Sequence, residues 1–550
     1  MPKSSLVFTS WYLLVFNTYL KGVFLMKEDL IDKEILSGDD AIGRGAIEAG
    51  ISLATSYPGT PATEILQYIA RHFDGDAEWS VNEKVAFETA VGASYAGKRA
   101  LCSMKHVGVN VASDPLMTAA YLGLKGGLVL AVADDPSAYS SQNEQDSRFY
   151  AKFAKIPCLE PSDSQEARDM TIIAFDLSEK MGLPVMVRAV TRVCHAYSPV
   201  TLVPVRDQNP LSLQKDPANM IAVPGNVLRC HNNLNKKQED LVKWGADSGL
   251  NRIFKNGQKK GIIACGIGHA YAREYDPEYA ILKISYYPFE ETMIEEFVKG
   301  LEEVWVFEEG EPFVEEIARR YSSLVKGKIS GEINSTGELG PDVLDEDTSS
   351  STSNQPSHVL PMPLPSRPPV LCPGCPHGRF YEALKAVKPA FTAGDIGCYT
   401  LGANPPYQII DSCLCMGAGI SKAAGIAKQG VKRVAAVIGD STFIHSGIPA
   451  LINAGYNRAN ILVLILDNSS VAMTGSQPTP LTGITAKGVE GGKVSLEDIC
   501  RACGVSSVEV VDPYDVEKTK VLLNAKLDAE GVHVVISRRS CILVKKRNSQ

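Results

Sequence analysis

Positive charge is in short supply in this chain. Lys and Arg number 55 against 63 Asp and Glu, a formal −8. No basic surplus exists to neutralise a phosphate backbone, so nucleic acid is excluded as a default partner. Cysteine is sparse as well, thirteen in 550 residues and odd in number. That excludes a disulfide scaffold and favours reduced thiols in a cytoplasmic protein, some of them metal ligands. Long apolar runs are missing too. The stretch from Trp11 to Leu25 is broken by Asn17, Thr18 and Lys21, and it falls short of the ~20 residues that span a bilayer. Met26-Lys27-Glu28-Asp29 follows in place of a small-residue cleavage site, so residues 1–36 read as an extension with Met26 as the working start, and no membrane is expected. No repeat of solenoid period is present. Apolar residues at 45% and charged residues at 21% exclude wholesale disorder.

What is present has α/β character. Over residues 37–200, β-like runs such as Ile51 to Tyr57, Arg99 to Met104, Gly127 to Ala133 and Pro184 to Val190 alternate with Ala-rich helical stretches. This pattern predicts a doubly wound domain on a parallel sheet. Residues 201–255 are more polar and read as a connection. A smaller α/β unit over 256–328 contains Gly261 to Gly268 and Glu303 to Phe307, then the acidic Glu308-Glu309-Gly310-Glu311, and Glu308 to Glu316 is most simply a solvated acidic face. Residues 329–370 turn Ser- and Pro-rich, the composition of a linker. A third α/β domain is expected over 371–545.

In that third domain Arg433 to Ile438 predicts a strand broken by Gly439-Asp440-Ser441, then a helix, then a second strand from Asn460 ending in Asp467-Asn468. A right-handed βαβ crossover makes the two strands parallel, so Asp440 and Asn468 both emerge at carboxyl ends, on the rim where open sheets bind ligands. One carboxylate and one amide oxygen suit a hard cation holding a diphosphate, and Gly439 allows close backbone approach. A Gly-Asp turn and a strand-terminal Asn are also ordinary loop residues, and the two short motifs leave both readings open.

A second constellation is built from cysteine. Cys372-Pro373-Gly374-Cys375 follows the linker, Cys398 stands in Gly394-Asp395-Ile396-Gly397-Cys398, and Cys541 lies near the end of the chain. A CxxC in a Pro/Gly turn brings two thiolates to one ion, and alone could serve zinc or redox chemistry or arise by chance. Cys500-Arg501-Ala502-Cys503 lacks that turn and reads as packed thiols. Cys413 and Cys415 border a helix start, and Cys102, Cys158, Cys194, Cys230 and Cys265 read as small buried hydrophobes.

The run from Gly439 to Gly447, Gly-Asp-Ser-Thr-Phe-Ile-His-Ser-Gly, taken with Asn468-Ser469-Ser470-Val471-Ala472-Met473-Thr474-Gly475, resembles the diphosphate motif of the thiamine-dependent 2-oxoacid:ferredoxin oxidoreductases. The resemblance extends over residues 37–545. It implies a thiamine-diphosphate-binding α/β fold with two doubly wound domains, one for the pyrimidine and one for the diphosphate. A smaller domain like the transketolase C-terminal domain would lie between them. It implies thiamine diphosphate held at Gly439, Asp440, Ser441, Asn468, Ser470 and Thr474, with Mg2+ on Asp440, Asn468 and the Ser470 carbonyl. It also implies one [4Fe–4S] cluster on Cys372, Cys375, Cys398 and Cys541, the ligand count a cubane needs. The family's CxxCxxCxxxCP ferredoxin module is absent, so electrons are expected to leave to another polypeptide.

Thiamine needs one Glu whose carboxyl reaches its aminopyrimidine ring nitrogen, and by the same resemblance Glu83, in Asn82-Glu83-Lys84 at a helix start, fills that place. A solvated acid favoured by the helix dipole is the plain alternative. Tyr57-Pro58-Gly59-Thr60-Pro61 resembles the family's substrate turn, with Thr60 on the substrate. His106, in Lys105-His106-Val107-Gly108, stands on the rim, and His445 is similar; each is equally readable as a loop histidine, and His195 reads as structural. The implied reaction converts an aryl 2-oxoacid, CoA and oxidised ferredoxin to acyl-CoA, CO2 and reduced ferredoxin. The implied assembly pairs this chain with a smaller β subunit, as (αβ)2. A non-redox thiamine decarboxylase or carboligase, and a catalytically silent structural subunit, are the competing readings.

Overall fold

The computed structural model describes residues 33–213, 216–255, 257–275, 277–341, 343–344 and 370–547. The expectations for residues 1–32 and for the Ser/Pro-rich stretch 345–369 lie outside the described residues.

The first sheet has seven strands in the order Tyr286–Tyr287, Cys158–Leu159, Val185–Val190, Leu128–Asp134, Ala100–Lys105, Leu53–Ser56 and Asp76–Trp79. All pairings are parallel except that of Tyr286–Tyr287 with Cys158–Leu159. Helices cover both faces, which is why its central strands are buried almost throughout and mostly apolar. A short ribbon pairs Lys33–Ser37 with Tyr197–Thr201. The third unit has five parallel strands, in the order Phe391–Ala393, Val434–Gly439, Ile461–Asp467, Val532–Arg538 and Ser507–Val511. Its strands alternate between two cores. Val434, Ala436 and Ile438 face one helical layer, and Ala435 and Val437 face the other.

The middle unit is a five-stranded sheet around Lys260–Cys265, and it shares a core with the first unit. Tyr286–Tyr287 leaves it to extend the first sheet. The joint is fastened by a buried ionic network. Arg148 reaches Asp146 at 2.6 Å and Glu308 at 2.9 Å and donates to the Glu309 carbonyl at 3.1 Å. Arg188 pairs with Asp134 at 2.8 Å and with Glu160.

Three expectations are corrected here. Glu308, Glu309 and Glu315 are buried and form no solvated face. Glu308 accepts from the backbone N–H of Val314 and Glu315, and burial pushes Glu309 up to about 7. The connection over 201–255 contains a 25-residue helix, Pro224–Ser248, whose narrow stripe Cys230, Leu234, Leu241 and Gly245 is buried while the rest is polar. The composition shift at residue 329 also precedes the end of packing, because Ile333 and Leu339 are buried against the middle sheet.

Candidate active site

The strand Val434–Gly439 pairs with Ile461–Asp467 in a register that sets Gly439 opposite Leu466, so Asp440 and Asn468 stand side by side at the sheet's carboxyl edge. Gly439 is obligatory there: a Cβ would fall 2.3 Å from the ring of Tyr399. Asp440 is buried. Its oxygens accept from the backbone N–H of Ser441 at 2.9 Å and of Ser469 at 3.0 Å. Burial and the neighbouring Asp467 push its carboxyl up to about 8. Asp467 has its own cation, Arg538 at 2.7 Å. The Asn468 side-chain oxygen accepts from Ser470 N–H at 3.1 Å, and its amide nitrogen lies 3.4 Å from Nε2 of the buried His377. The Ser470 hydroxyl is buried and has no hydrogen-bond partner. A buried carboxylate without a cation, an amide and an orphaned hydroxyl make an oxygen-rich set that fits a hard divalent ion. Thr474 donates to the Val471 carbonyl and lies on the same cavity wall as Tyr57, Cys398, Met416 and Met473.

The first unit closes this cavity from across the chain. Asn82 caps the helix Glu83–Tyr95, its side chain accepting from Val85 N–H at 2.8 Å. Its amide donates to the His445 carbonyl at 3.0 Å. Glu83 Oε2 lies 2.7 Å from His445 Nε2, and His445 Nδ1 lies 2.6 Å from the Ser446 hydroxyl. Tyr57 packs edge-on against His445 at 4.7 Å and bonds the Ser441 hydroxyl at 2.9 Å. Glu83 has room only because residue 108 is glycine, where a Cβ would fall 2.7 Å from Glu83 Cγ. Tyr57 and Pro58 of the first unit and Asp440, Ser441 and Asn468 of the third thus line one cavity, and Glu83 meets this junction through His445.

Thr60 is half-exposed just past the cavity wall, and its carbonyl accepts from the Ser140 hydroxyl at 3.0 Å. His106 is wholly enclosed, with Nε2 3.1 Å from the Asn143 carbonyl, and burial lowers its pKa. Lys105 beside it donates to the Ser140 carbonyl at 3.0 Å, and burial lowers it to about 8. The His445–Glu83 and Tyr57–Ser441 contacts were not readable from motifs, since each joins residues more than 350 positions apart.

Cys372 to Cys375 forms a β-turn closed by Cys375 N–H on the Cys372 carbonyl at 2.9 Å, with Gly374 at φ 79°. Pro then Gly at the central positions is what a type II turn requires. Burial raises the thiols of Cys375 and Cys398, and the neighbouring Cys372 and Cys541 raise both further, so the four cysteines stand close together. Cys398 lines the cavity. Asp395 fixes its loop by accepting from the N–H groups of Gly417 and Gly419, both at 2.8 Å. Burial holds Asp395 up to about 6. Cys541 N–H donates to the Asn468 carbonyl at 3.0 Å. No three of the four sulfurs lie within 4.8 Å of one another. A zinc ion with Zn–S bonds of ~2.3 Å would draw them to about 3.8 Å. Cys500 and Cys503 are buried in a core, as packed thiols are.

Residues 395–537 match the family described as "Thiamine pyrophosphate enzyme, C-terminal TPP binding domain". Residues 44–244 match "Pyruvate flavodoxin/ferredoxin oxidoreductase, thiamine diP-bdg". The chain is 43% identical to the indolepyruvate oxidoreductase subunit IorA of Archaeoglobus fulgidus, over 94% of this chain and 88% of that one. It is 41% identical to IorA of Methanothermobacter thermautotrophicus, over 93% and 87%. The chain belongs to the IorA family of thiamine-dependent 2-oxoacid oxidoreductases. A more distant member of the wider group, the 2-oxoglutarate synthase subunit KorA of M. thermautotrophicus, is 28% identical over 32% of this chain and 48% of that one. The two family matches cover the units that supply Tyr57 and Pro58 on one side of the cavity and Asp440 and Asn468 on the other. In this IorA-family chain, therefore, both walls of the cleft belong to thiamine-binding domains. Among the described residues no helix is long and apolar enough to cross a membrane.

Proposed function

We propose that this chain is the thiamine-bearing subunit of an oxidoreductase that decarboxylates aryl 2-oxoacids, transferring the acyl group to CoA and electrons to ferredoxin. The observation that supports the reading is a cavity lined by Tyr57 and Pro58 of the first unit and by Asp440, Ser441 and Asn468 of the third, with Glu83 held at the same junction through His445. Asp440, Asn468 and Ser470 would hold Mg2+, with Gly439, Ser441 and Thr474 around the diphosphate. Thiamine diphosphate, when bound, supplies a nucleophilic carbon and an electron sink for loss of CO2. Glu83 would hydrogen-bond the aminopyrimidine ring, and His445 keeps its carboxylate oriented. Thr60 would donate to the substrate, and the apolar side chains of Val471, Met473 and Met416 suit an aromatic substituent.

The four cysteines would hold a [4Fe–4S] cluster, which supplies one-electron acceptance beside the cofactor. The relatives are named as subunits of an indolepyruvate oxidoreductase, which supports a partner subunit; that partner would be a smaller β chain, in an (αβ)2 assembly. The test is anaerobic co-expression with that partner, followed by iron, sulfide and thiamine analysis and indolepyruvate-dependent ferredoxin reduction with CoA. Cys375→Ser should abolish ferredoxin reduction and lower iron, while thiamine remains bound. An iron-free, colourless complex that still releases CO2 without CoA would overturn the redox reading.

A further inference from the structure

We propose that Asp39, Glu64 and His195 form a binding site for a divalent transition-metal ion of the zinc class, separate from the thiamine cleft and from the four cysteines. One ligand atom from each of the three side chains lies within 4.8 Å of the others. Three elements meet to make the site. Asp39 is in the first turn of Gly38–Glu48, Glu64 is in the first turn of Thr63–His72, and His195 ends Thr191–His195. The meeting depends on Gly38, where a Cβ would fall 2.1 Å from the Val193 carbonyl oxygen. Only glycine allows the helix start to lie against the backbone leading to His195.

The independent sign of a missing cation is Asp39 itself. It is fully enclosed, and neither of its carboxylate oxygens has a hydrogen-bond partner. Glu64 Oε2 is likewise buried and unpartnered. The groups facing Asp39 are the acids Glu64 and Asp40, both of its own sign, and the buried thiol of Cys194, a weak donor that supplies no positive charge. Buried carboxylates are normally hydrogen-bonded, paired with a cation or coordinated to metal. The imidazole selects among ions: Mg2+ and Ca2+ take oxygen ligands, whereas one imidazole with two carboxylates suits Zn2+ and its neighbours. His195 is exposed, so the ion has an entry path and an open position for water, as in three-ligand zinc sites. The helix that carries Glu64 begins just after the turn whose Tyr57 and Pro58 line the cleft. An ion here would tie that turn to the ribbon of Lys33–Ser37 and Tyr197–Thr201.

The experiment is a Zn2+ titration of the chelator-stripped complex against a chromophoric chelator, with melting temperature followed in parallel. His195→Ala, at an exposed position, should lose one tight zinc equivalent, and zinc should no longer raise its melting temperature. Asp39→Asn should show the same loss. Cys372→Ser should keep the equivalent, which separates the site from the thiols. Equal zinc stoichiometry and affinity in wild type and His195→Ala would overturn the proposal. So would a wild type indifferent to zinc in which Asp39→Asn raises the melting temperature, because Asp39 would then be a neutral acid sharing a proton with Glu64. Thiamine binding is measured separately, so either reading can fail alone.

Discussion

Gly108→Ala tests the seat of Glu83 with a single methyl group. The added Cβ would stand 2.7 Å from Glu83 Cγ and 2.8 Å from Oε1. Carbon atoms pack best at about 3.5–4.0 Å, so Glu83 must retreat by roughly 1 Å. Such a retreat breaks the 2.7 Å contact with His445 Nε2. The residue lies inside the helix His106–Leu122, where alanine is better than glycine by about 1 kcal/mol. Overpacking costs about 1–3 kcal/mol, so the net change in stability is small. Positioning is a steeper function of distance, and a displacement of about 1 Å at a reacting group costs on the order of a hundredfold. Deuterium exchange at C2 of bound thiamine, read by rapid-quench proton NMR, should therefore slow about a hundredfold in Gly108→Ala. Cofactor affinity should change little, because Asp440 and Asn468 lie across the cleft from the new methyl. Glu83→Gln is the companion variant, removing the carboxylate without the bulk. Wild-type exchange in both variants would remove Glu83 from its role. Wild-type exchange in Gly108→Ala alone would refute the steric argument.

Burial and Asp467 push the Asp440 carboxyl up to about 8 in the cation-free protein. The folded state then binds a proton that the unfolded state has released between about pH 4 and 8, so this group's contribution to stability falls as pH rises through that window. Cation-free protein should melt lower at pH 8 than at pH 6, Asp440→Asn should flatten the difference, and Mg2+ with thiamine diphosphate should stabilise most at pH 8; an unchanged profile in Asp440→Asn would contradict the assignment. Arg148→Met strands Asp146 and Glu308 without their cation in the buried joint. Breaking such a pair costs about 3–5 kcal/mol, roughly 6–20 °C in melting temperature for a unit of this size, and a shift under about 2 °C would show the network to be dispensable.

The parts of this molecule legible in sequence are those set by local chemistry. Pro373 and Gly374 dictate the turn that presents Cys372 and Cys375, and two apolar runs with a helical crossover suffice to bring Asp440 and Asn468 to neighbouring strand ends. What was illegible depends on partners distant in sequence. Glu308 and Glu309 look like any solvated acidic run until Arg148, 160 positions earlier, is placed against Glu308. The helix Pro224–Ser248 was hidden because one narrow apolar stripe is diluted by a polar remainder. Gly108 carries no motif at all; its meaning appears only when Glu83 is packed on it. Asp39 was hidden for the same reason, because its isolation is a property of the fold around it.

Two carboxyls, Asp440 and Asp467, stand together at the sheet edge, and the end of the strand Val532–Arg538 decides between them. Arg538 neutralises Asp467 at 2.7 Å and also holds Glu497 at 2.7 Å. Asp440 has only backbone N–H donors. Of the two, Asp440, beside Asn468 and the orphaned Ser470 hydroxyl, is the carboxyl left for the proposed cation. The same short segment continues with Arg539 N–H on the Asp467 carbonyl and Cys541 N–H on the Asn468 carbonyl, both at 3.0 Å. One side-chain ion pair and two backbone hydrogen bonds from residues 538–541 thus fasten Asp467, Asn468 and Cys541 to one another. A substitution that loosens Arg538 should disturb cation binding and the cysteine quartet together, because one strand of backbone hydrogen bonds serves both.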